Sequence, residues 1–347
     1  MAGGTGKPVS LALQGGGAHG AFTWGVLDRI LEDGRLDIRA ITATSAGAMN
    51  AAAFAHGRRI GGRDGARQTL EAFWRAVSRT GAAFRPGFPG TSMGRWFPFL
   101  DAFTRVTSPY DLNPFNYDPL REILAGQIDF DRLPECADTR LFIAATCVTT
   151  GRARVFTGAE VTIEAVLASA CLPFLHQAVE IDGKPYWDGG YTGNPALWPL
   201  FYADTPADLV IVHINPLERE GTPKSAADIM DRVNEITFNA SLLAELRAIA
   251  FVKKLIGRDL LKDPQKARLR DILVHSIKAD EALKAFPAST KYDTSWSFLT
   301  TLRDLGRDTA AAWLEACERD VGTRSTIDLH ADFLDEPEAG RARAPGV

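Results

Sequence analysis

A serine, an aspartate and a run of glycines stand at three points where the backbone is expected to turn. Ser45 lies in "ATSAGA", Asp188 lies in "WDGG", and the glycines open the stretch "GGGAHG" at residues 15–20. A serine hydroxyl becomes a nucleophile when a base takes its proton. Glycine backbone with outward N–H groups can hold a negative charge. The three stretches predict a nucleophilic centre if the fold brings them together.

The elements around the first two stretches read as strand, turn and helix, repeated once. "VSLALQ" is short and apolar and predicts a buried strand that ends at the glycines. "AFTWGVLDRILEDG" has apolar residues at helical spacing and stops at Gly34. "LDIRAITATSAGAMNAAAF" predicts a second strand, a tight turn at Ser45 and a second helix. Both turns should therefore lie at the carboxyl ends of neighbouring strands, where α/β sheets place their ligands.

The glycine stretch also fits a dinucleotide-binding loop, because Gly15, Gly17 and Gly20 have the spacing G-x-G-x-x-G. That mechanism needs an acidic residue at the end of the second strand to hold the ribose hydroxyls. Asp37 lies at the beginning of that strand, and the next acid is Asp64. The sequence therefore favours an oxyanion that exists only during a reaction.

The turn at Ser45 has the small neighbours of a nucleophile elbow. Gly47 fits the pattern G-x-S-x-G, whereas Ala43 stands where the first glycine is usual. A serine that only caps the next helix is the alternative interpretation. Glycine amides at the neighbouring turn could stabilise the oxyanion that forms when the serine attacks an acyl carbonyl.

The base is the less obvious part of the pattern. His213 and His275 lie in apolar strands, His330 lies near the tail and His56 near a helix end, which leaves His19 and His176 close to the motifs. Asp188 is the stronger candidate, because it ends a predicted strand and precedes two glycines. An ordinary Asp-Gly-Gly bend is the alternative. A carboxylate with a pKa near 4 is a weak base, so its surroundings would have to raise that pKa.

In their order and spacing, "GGGAHG", "ATSAG" and "DGG" resemble the motifs of the patatin-like phospholipases, and "ASACLPFLHQAVEIDGKPYWDGG" resembles the family's approach to its aspartate. The resemblance implies an α/β/α sandwich and a Ser-Asp dyad without histidine, metal or cofactor. It makes Ser45 the nucleophile and Asp188 the base. The implied oxyanion-hole and supporting residues are Gly15, Gly16, Gly17, Ala18, His19, Gly20, Ala43, Gly47, Gly189 and Gly190.

The sequence departs from the family pattern at two of these positions. Ala43 replaces a glycine, which affects the geometry of the turn. His19 replaces the usual Arg or Lys, so a titratable group stands where the family has a fixed positive charge. We expect His19 to be mainly structural.

The strands and helices alternate along the chain, which predicts an α/β fold around a mostly parallel sheet, arranged as a three-layer sandwich. Residues 8–216 are expected to form the catalytic domain. Residues 217–334 are expected to pack on it as a mainly helical part, with a strand near 271–277 and a last helix that Gly306 could break. Residues 335–347 have the composition of a disordered tail.

Residues 84–117 are rich in proline and aromatic side chains and predict a long irregular insertion. We expect a lid or acyl-binding wall, with Trp96, Phe97 and Phe99 as acyl or membrane contacts. A second hydrophobic cluster under a long loop is an equal alternative.

The composition is that of a globular protein, with 46% hydrophobic and 24% charged residues. A net charge of −4 gives no general attraction to nucleic acid. The four cysteines have neither metal-site nor disulfide spacing, and no apolar run has the length of a membrane span. We expect a cytoplasmic protein with at most peripheral membrane contact. Export without a recognisable signal stays open, and the sequence does not define the oligomeric state.

The pattern as a whole predicts a serine acyl hydrolase of lipid esters, of phospholipase A type, that forms an acyl-serine intermediate. A thioesterase or acyltransferase could use the same dyad. A lipid-binding or scaffold protein that has lost catalysis is the alternative from another class, with Ala43 and His19 as the marks of that loss.

Overall fold

The computed structural model describes residues 6–83, 108–135, 138–258 and 269–334. Most of the predicted insertion, including Trp96, Phe97 and Phe99, and the predicted tail at 335–347 lie outside the described residues. Eight strands form one sheet in the described part of the chain. They are β1 (Lys7–Leu13), β2 (Leu36–Ala43), β3 (Arg140–Cys147), β4 (Ala153–Thr157), β5 (Val179–Ile181), β6 (Lys184–Asp188), β7 (Asp208–Val212) and β8 (Leu273–Ile277).

Helices connect and cover these strands. Within the same described residues they are α1 (Gly20–Asp33), α2 (Ala46–Ala83), α3 (Pro109–Leu112), α4 (Pro119–Gln127), α5 (Ile163–Ser169), α6 (Trp198–Tyr202), α7 (Ala226–Gly257), α8 (Asp280–Lys284) and α9 (Trp296–Cys317). Gly34 ends α1 in the left-handed conformation, as its position after the apolar run predicts. Short 3₁₀ turns at Gly17–His19, Gly189–Tyr191 and Ala288–Tyr292 flank the sheet edge described below.

The sheet has a parallel centre and an antiparallel side. Its order is β5-β6-β3-β2-β1-β7-β8, and β4 also pairs with β3. The neighbours β3, β2, β1, β7 and β8 all run parallel, whereas β4, β5 and β6 are antiparallel to their partners. The carboxyl ends of the parallel strands therefore lie along one edge, which is where the turns after β1 and β2 begin.

Alternating side chains of the strands belong to two separate cores. Leu11, Leu13 and Val212 point to one core, which α1, α2, α5 and α9 cover. Ala12 and Ile211 point to the other, which α6 and α7 cover. Because a strand buried on both faces must be apolar throughout, the continuous hydrophobic runs that predicted these strands are explained. The three-layer α/β/α fold is confirmed.

The last helix, α9, runs without interruption through Gly306, so the break considered there does not occur. Gly306 instead permits close packing on α1, since a Cβ at this position would collide with the carbonyl oxygen of Phe22. Gly25 does the same from the α1 side, where a Cβ would collide with the carbonyl of Arg303. Strand β8 pairs with β7, so the chain beyond residue 217 contributes to the same sheet.

Candidate active site

Ser45 lies on a sharp turn between β2 and α2. Its φ is 56°, in the left-handed region that residues other than glycine seldom adopt. The turn is held by two bonds: the N–H of Ser45 donates to Ser169 Oγ at 2.9 Å, and the N–H of Gly47 donates to the Thr44 carbonyl at 2.9 Å. A strained residue fixed in this way holds its side chain above the sheet edge, as in a nucleophile elbow.

The small residues near Ser45 are required by close chain approach. A Cβ at Gly15 would lie 2.6 Å from the Cβ of Ser45, and one at Gly47 would collide with the Leu13 carbonyl. Gly20 is equally close to Ala46. Ala43, where a glycine is usual, is fully buried in the core at the end of β2, and Ser45 still adopts the left-handed conformation. The extra methyl group is therefore accommodated.

The pairing of β3 with two different strands brings Asp188 to the sheet edge at which Ser45 lies. The first half of β3 pairs with β2, ending with Ala43 opposite Ile143. The second half pairs on the same side with β6, which runs the opposite way and ends with Asp188 opposite Ala145. Strand β4 occupies the other side of β3 throughout. The ends of β2 and β6 thus face each other, about 7 Å apart along β3.

The carboxyl group of Asp188 is buried and only half satisfied. It is 1% exposed, and its Oδ1 accepts the N–H of Gly190 at 2.7 Å. Its Oδ2 has no hydrogen-bond partner among the described residues. Burial raises the pKa of Asp188 to about 7. The Gly190 N–H, the Ser45 hydroxyl and the charge of Lys291 each lower this pKa, but by less than burial raises it. Ser45 therefore lies within range of the carboxyl group, although no hydrogen bond of ordinary geometry joins them.

The glycine loop after β1 offers three free N–H groups. In the described part of the chain, no hydrogen-bond partner is found for the N–H groups of Gly16, Gly17 and Ala18. Gly17 has a φ of 59°, which favours glycine, and it is exposed. The N–H of Gly15, in contrast, donates to Asn194 Oδ1 at 2.6 Å. The sequence predicted four amides for an oxyanion hole. In this conformation the Gly15 amide is already hydrogen-bonded to Asn194, which leaves the other three.

A buried cluster of amide side chains fixes this loop, and the sequence analysis did not find it. Asn215 Nδ2 donates to the Gly15 carbonyl at 2.8 Å, so both polar groups of Gly15 are held by side chains. Gln14 Oε1 accepts the N–H groups of Ile214 and Asn215, and Gln14 Nε2 donates to Asn239. The available signal was that Asn215 follows the apolar strand β7 and therefore lies at the same sheet edge.

The "Patatin-like phospholipase" family model matches residues 11–201, which is more than half of the chain. The chain belongs to the patatin-like phospholipase family. The matched range contains the glycine loop, Ser45 and Asp188, and membership supports a hydrolase that acts on lipid esters. A comparison with curated protein sequences gives no significant match.

Solved structures of two bacterial proteins are similar to this patatin-like chain. VipD from Legionella pneumophila is 13% identical with a TM-score of 0.41, and the match covers 95% of this chain and 73% of VipD. ExoU from Pseudomonas aeruginosa, solved with SpcU of the type III secretion system, is 16% identical with a TM-score of 0.40. That match covers 92% of this chain and 52% of ExoU, so the chain spans about half of ExoU's length.

His19, at the position where patatin-like proteins carry Arg or Lys, is buried and neutral. It is 3% exposed, its Nε2 is 2.7 Å from Thr290 Oγ1, and its ring packs near Phe286 and Phe298. Burial, together with the positive charges of Lys291 and Arg219, lowers the pKa of His19 to about 3. The side chain therefore carries no charge near neutral pH, which agrees with a structural role.

A pair of His19 variants tests this role. His19→Gln should leave the pH at half-maximal activity unchanged, because the wild-type ring is already neutral throughout the working range. His19→Arg should lower the melting temperature by several degrees, because it buries an unpaired charge among aromatic rings. His56→Arg, at a partly exposed position of α2, is the control. A shift of the activity profile in His19→Gln would show that the imidazole titrates during turnover.

None of the other histidines is among the described groups that act on the pKa of Asp188. His275 is buried within β8 at 0% exposure, and His213 is buried directly after the end of β7 at 1% exposure. Burial lowers the pKa of His176, and the charge that acts on it is that of Asp118. None of the described helices is long and apolar enough to cross a membrane. Nor do the described His, Cys, Asp and Glu side chains form a group of three or more that could hold a metal ion.

Proposed function

We propose that this chain is a lipid acyl hydrolase of phospholipase A type, with Ser45 as nucleophile and Asp188 as general base. The observation that supports the proposal is the buried Asp188 carboxyl group, whose Oδ2 has no hydrogen-bond partner among the described residues. Its strand, β6, ends on the same side of β3 as β2, the strand that precedes Ser45. A buried, unsatisfied carboxyl oxygen is unfavourable for folding alone. Its retention next to a strained serine is accounted for by a role in proton transfer.

The reaction follows from these groups. Ser45 Oγ attacks the ester carbonyl carbon while its proton passes to Asp188, and the carbonyl oxygen becomes negative. The N–H groups of Gly16, Gly17 and Ala18 would stabilise that oxygen, each contributing about 3 kcal/mol. The carbon–oxygen bond to the alcohol then breaks, and the alcohol leaves with the proton from Asp188. Water, deprotonated by Asp188, then attacks the acyl-serine. The bond between the acyl carbon and Ser45 Oγ breaks, Oγ takes the proton back from Asp188, and the fatty acid is released.

The raised pKa of Asp188 suits a general base. A general base is most effective when its pKa lies near the operating pH, and burial raises the pKa of Asp188 to about 7. An ordinary aspartate, near 4, would hold the serine proton too weakly.

The pH dependence of activity follows with a definite sign. The base must be unprotonated, so kcat/KM on a soluble p-nitrophenyl ester should rise with pH, with a midpoint near 7 and about tenfold loss per pH unit below it. A stopped assay from pH 4.5 to 9 measures this. A midpoint below pH 5 would contradict the proposal, because it would mean that the carboxyl group is not desolvated when it acts.

A lipid panel tests the substrate class. Mixed micelles of phosphatidylcholine, phosphatidylethanolamine and phosphatidylglycerol, each with a labelled acyl chain, should release free fatty acid. Added ethanol or lysophospholipid distinguishes hydrolysis from acyl transfer, because a transferase would move the label to the added acceptor. Absence of any acyl product, with wild-type protein that is folded, would favour a lipid-binding protein without catalysis.

A further inference from the structure

The turn at Ala288–Tyr292 places a lysine against the glycine loop. Lys291 Nζ donates to Asn215 Oδ1 at 2.8 Å, and the same Asn215 amide donates to the Gly15 carbonyl. The Lys291 carbonyl lies so close to Gly17 that a Cβ there would collide with it. The turn therefore reaches the loop directly at Gly17 and, through Asn215, at Gly15. It belongs to the chain beyond residue 201, where the family match ends.

The ammonium group of Lys291 forms no ion pair with a carboxylate of the described residues, whose salt bridges lie elsewhere. Glu235 is the charge that acts on it most strongly, but Glu235 is already bound by Arg219 at 2.7 Å and Arg232 at 3.2 Å. Burial lowers the pKa of Lys291, while Asp188 and the two acids Glu235 and Asp231 raise it. The ammonium group is thus bound by the Asn215 amide oxygen, and Asp188 is among the acids whose charge acts on it.

The glycine loop has no cation of its own. His19 is neutral, for the reasons given above, so the charge that patatin-like proteins carry at that position is missing from it. Lys291 acts on both groups in question: its charge lowers the pKa of His19 and lowers the pKa of Asp188. It is held beside the Gly15 peptide through Asn215, next to the free amides of Gly16 and Gly17.

We infer that Lys291 supplies a positive charge beside the oxyanion loop and, through Asn215, positions the Gly15 peptide. It is a positioning and electrostatic residue, which contacts neither Ser45 nor the substrate ester. The inference rests on the proposed function, since it assigns a role in the same reaction. Two consequences follow: the charge stabilises the negative oxygen of the transition state, and it keeps Asp188 more easily deprotonated.

The charged and titratable groups around this pair are few enough to interpret a pH profile. The groups that act on Lys291 or Asp188, or on which either of the two acts, are Glu235, Asp231, Arg219, Tyr191, Cys171 and His19. Burial raises the pKa of Tyr191 and of Cys171 to about 12, and the pKa of His19 is about 3. Those three groups do not titrate near neutrality, so they do not contribute to a midpoint near pH 7.

The test compares Lys291→Met, Lys291→Gln and Lys291→Arg in the full chain, with the exposed Lys224→Met as control. Both neutral variants should lower kcat about 10- to 100-fold with little change in KM, and should move the acidic midpoint of kcat/KM upward. Lys291→Gln can still bond to Asn215, so it serves if Lys291→Met fails to fold. Lys291→Arg should restore most of the rate and the wild-type midpoint.

Two outcomes overturn the inference. One is wild-type kcat and midpoint in both neutral variants. The other is loss of rate with an unchanged midpoint that Lys291→Arg does not restore, which would indicate a packing role. Failure of the proposed function is separate, because it would leave the wild-type protein unlabelled at Ser45 by a fluorophosphonate. When wild type is labelled at Ser45, either of the two outcomes above overturns the inference alone.

Discussion

Ser45→Ala should lower kcat/KM on phospholipid and p-nitrophenyl esters by at least about 10³-fold, since loss of a serine nucleophile can lower kcat by about 10⁶-fold. Without Oγ no acyl-enzyme can form, and the oxyanion amides alone give only residual catalysis. Fatty acid release, titrated at pH 8, measures the loss.

The matched control for this change is Ser45→Gly. Alanine at a φ of 56° is strained by about 1 kcal/mol, whereas glycine adopts this conformation freely. Ser45→Gly should therefore be as inactive as Ser45→Ala but melt at an equal or higher temperature. Activity within tenfold of wild type in either variant would mean that another group is the nucleophile.

Asp188→Asn should change activity and stability in opposite directions. The amide keeps the shape of the carboxyl group, and its oxygen can still accept the Gly190 N–H, but it cannot take the proton of Ser45. We expect kcat/KM to fall about 10³- to 10⁴-fold. The same variant should be more stable than wild type at pH 8, because it removes a buried negative charge.

The pH dependence of this gain follows from the direction of the pKa shift. The pKa of Asp188 is raised in the folded protein to about 7 from an ordinary value of 3.8, so folding favours the protonated form. Below pH 3.8 the carboxyl group is protonated in both the folded and the unfolded state, so it does not lower the stability of the folded protein. Wild-type stability is lost as pH rises from 3.8 to 7, by roughly 4 kcal/mol in total above pH 7. The difference in free energy of unfolding between Asp188→Asn and wild type should grow over the same window.

Asp182→Asn is the control, since Asp182 lies at the tip of the same β5–β6 hairpin with a φ of 51°, which asparagine tolerates. It should leave both activity and stability within experimental scatter of wild type. Equal melting temperatures of Asp188→Asn and wild type across pH 4 to 8 would show that the Asp188 carboxylate is not buried at a penalty.

The sequence predicted the local geometry well because strand, turn and helix follow one another around Ser45. Apolar runs gave β1 and β2, and small residues gave the turns, so the two turns could be placed at one sheet edge. Asp188 was placed at a strand end by the same logic. Strand β6 pairs with the part of β3 that extends beyond the end of β2. This pairing joins residues far apart in the chain, so no local sequence pattern predicts it.

The charges and bonds of the site were less accessible. Asn194, Asn215 and Lys291 reach the glycine loop from far along the chain, and their residue types do not differ from ordinary loop residues. The engaged N–H of Gly15 depends on one of them. His19 shows the same limit, because a motif position gives the residue type, whereas its neutral state follows from burial beside Phe286 and Phe298.

The central claim is that Ser45 is the nucleophile and Asp188 activates it. Mass-spectrometric mapping of the fluorophosphonate adduct tests this most directly, in wild type and in Asp188→Asn between pH 5 and 9. We predict one phosphonyl group on the peptide that contains Ser45, formed at a rate that rises through pH 7 in wild type and is strongly reduced in Asp188→Asn. An adduct on a different residue, or ester hydrolysis that continues after Ser45 is fully modified, would contradict the account.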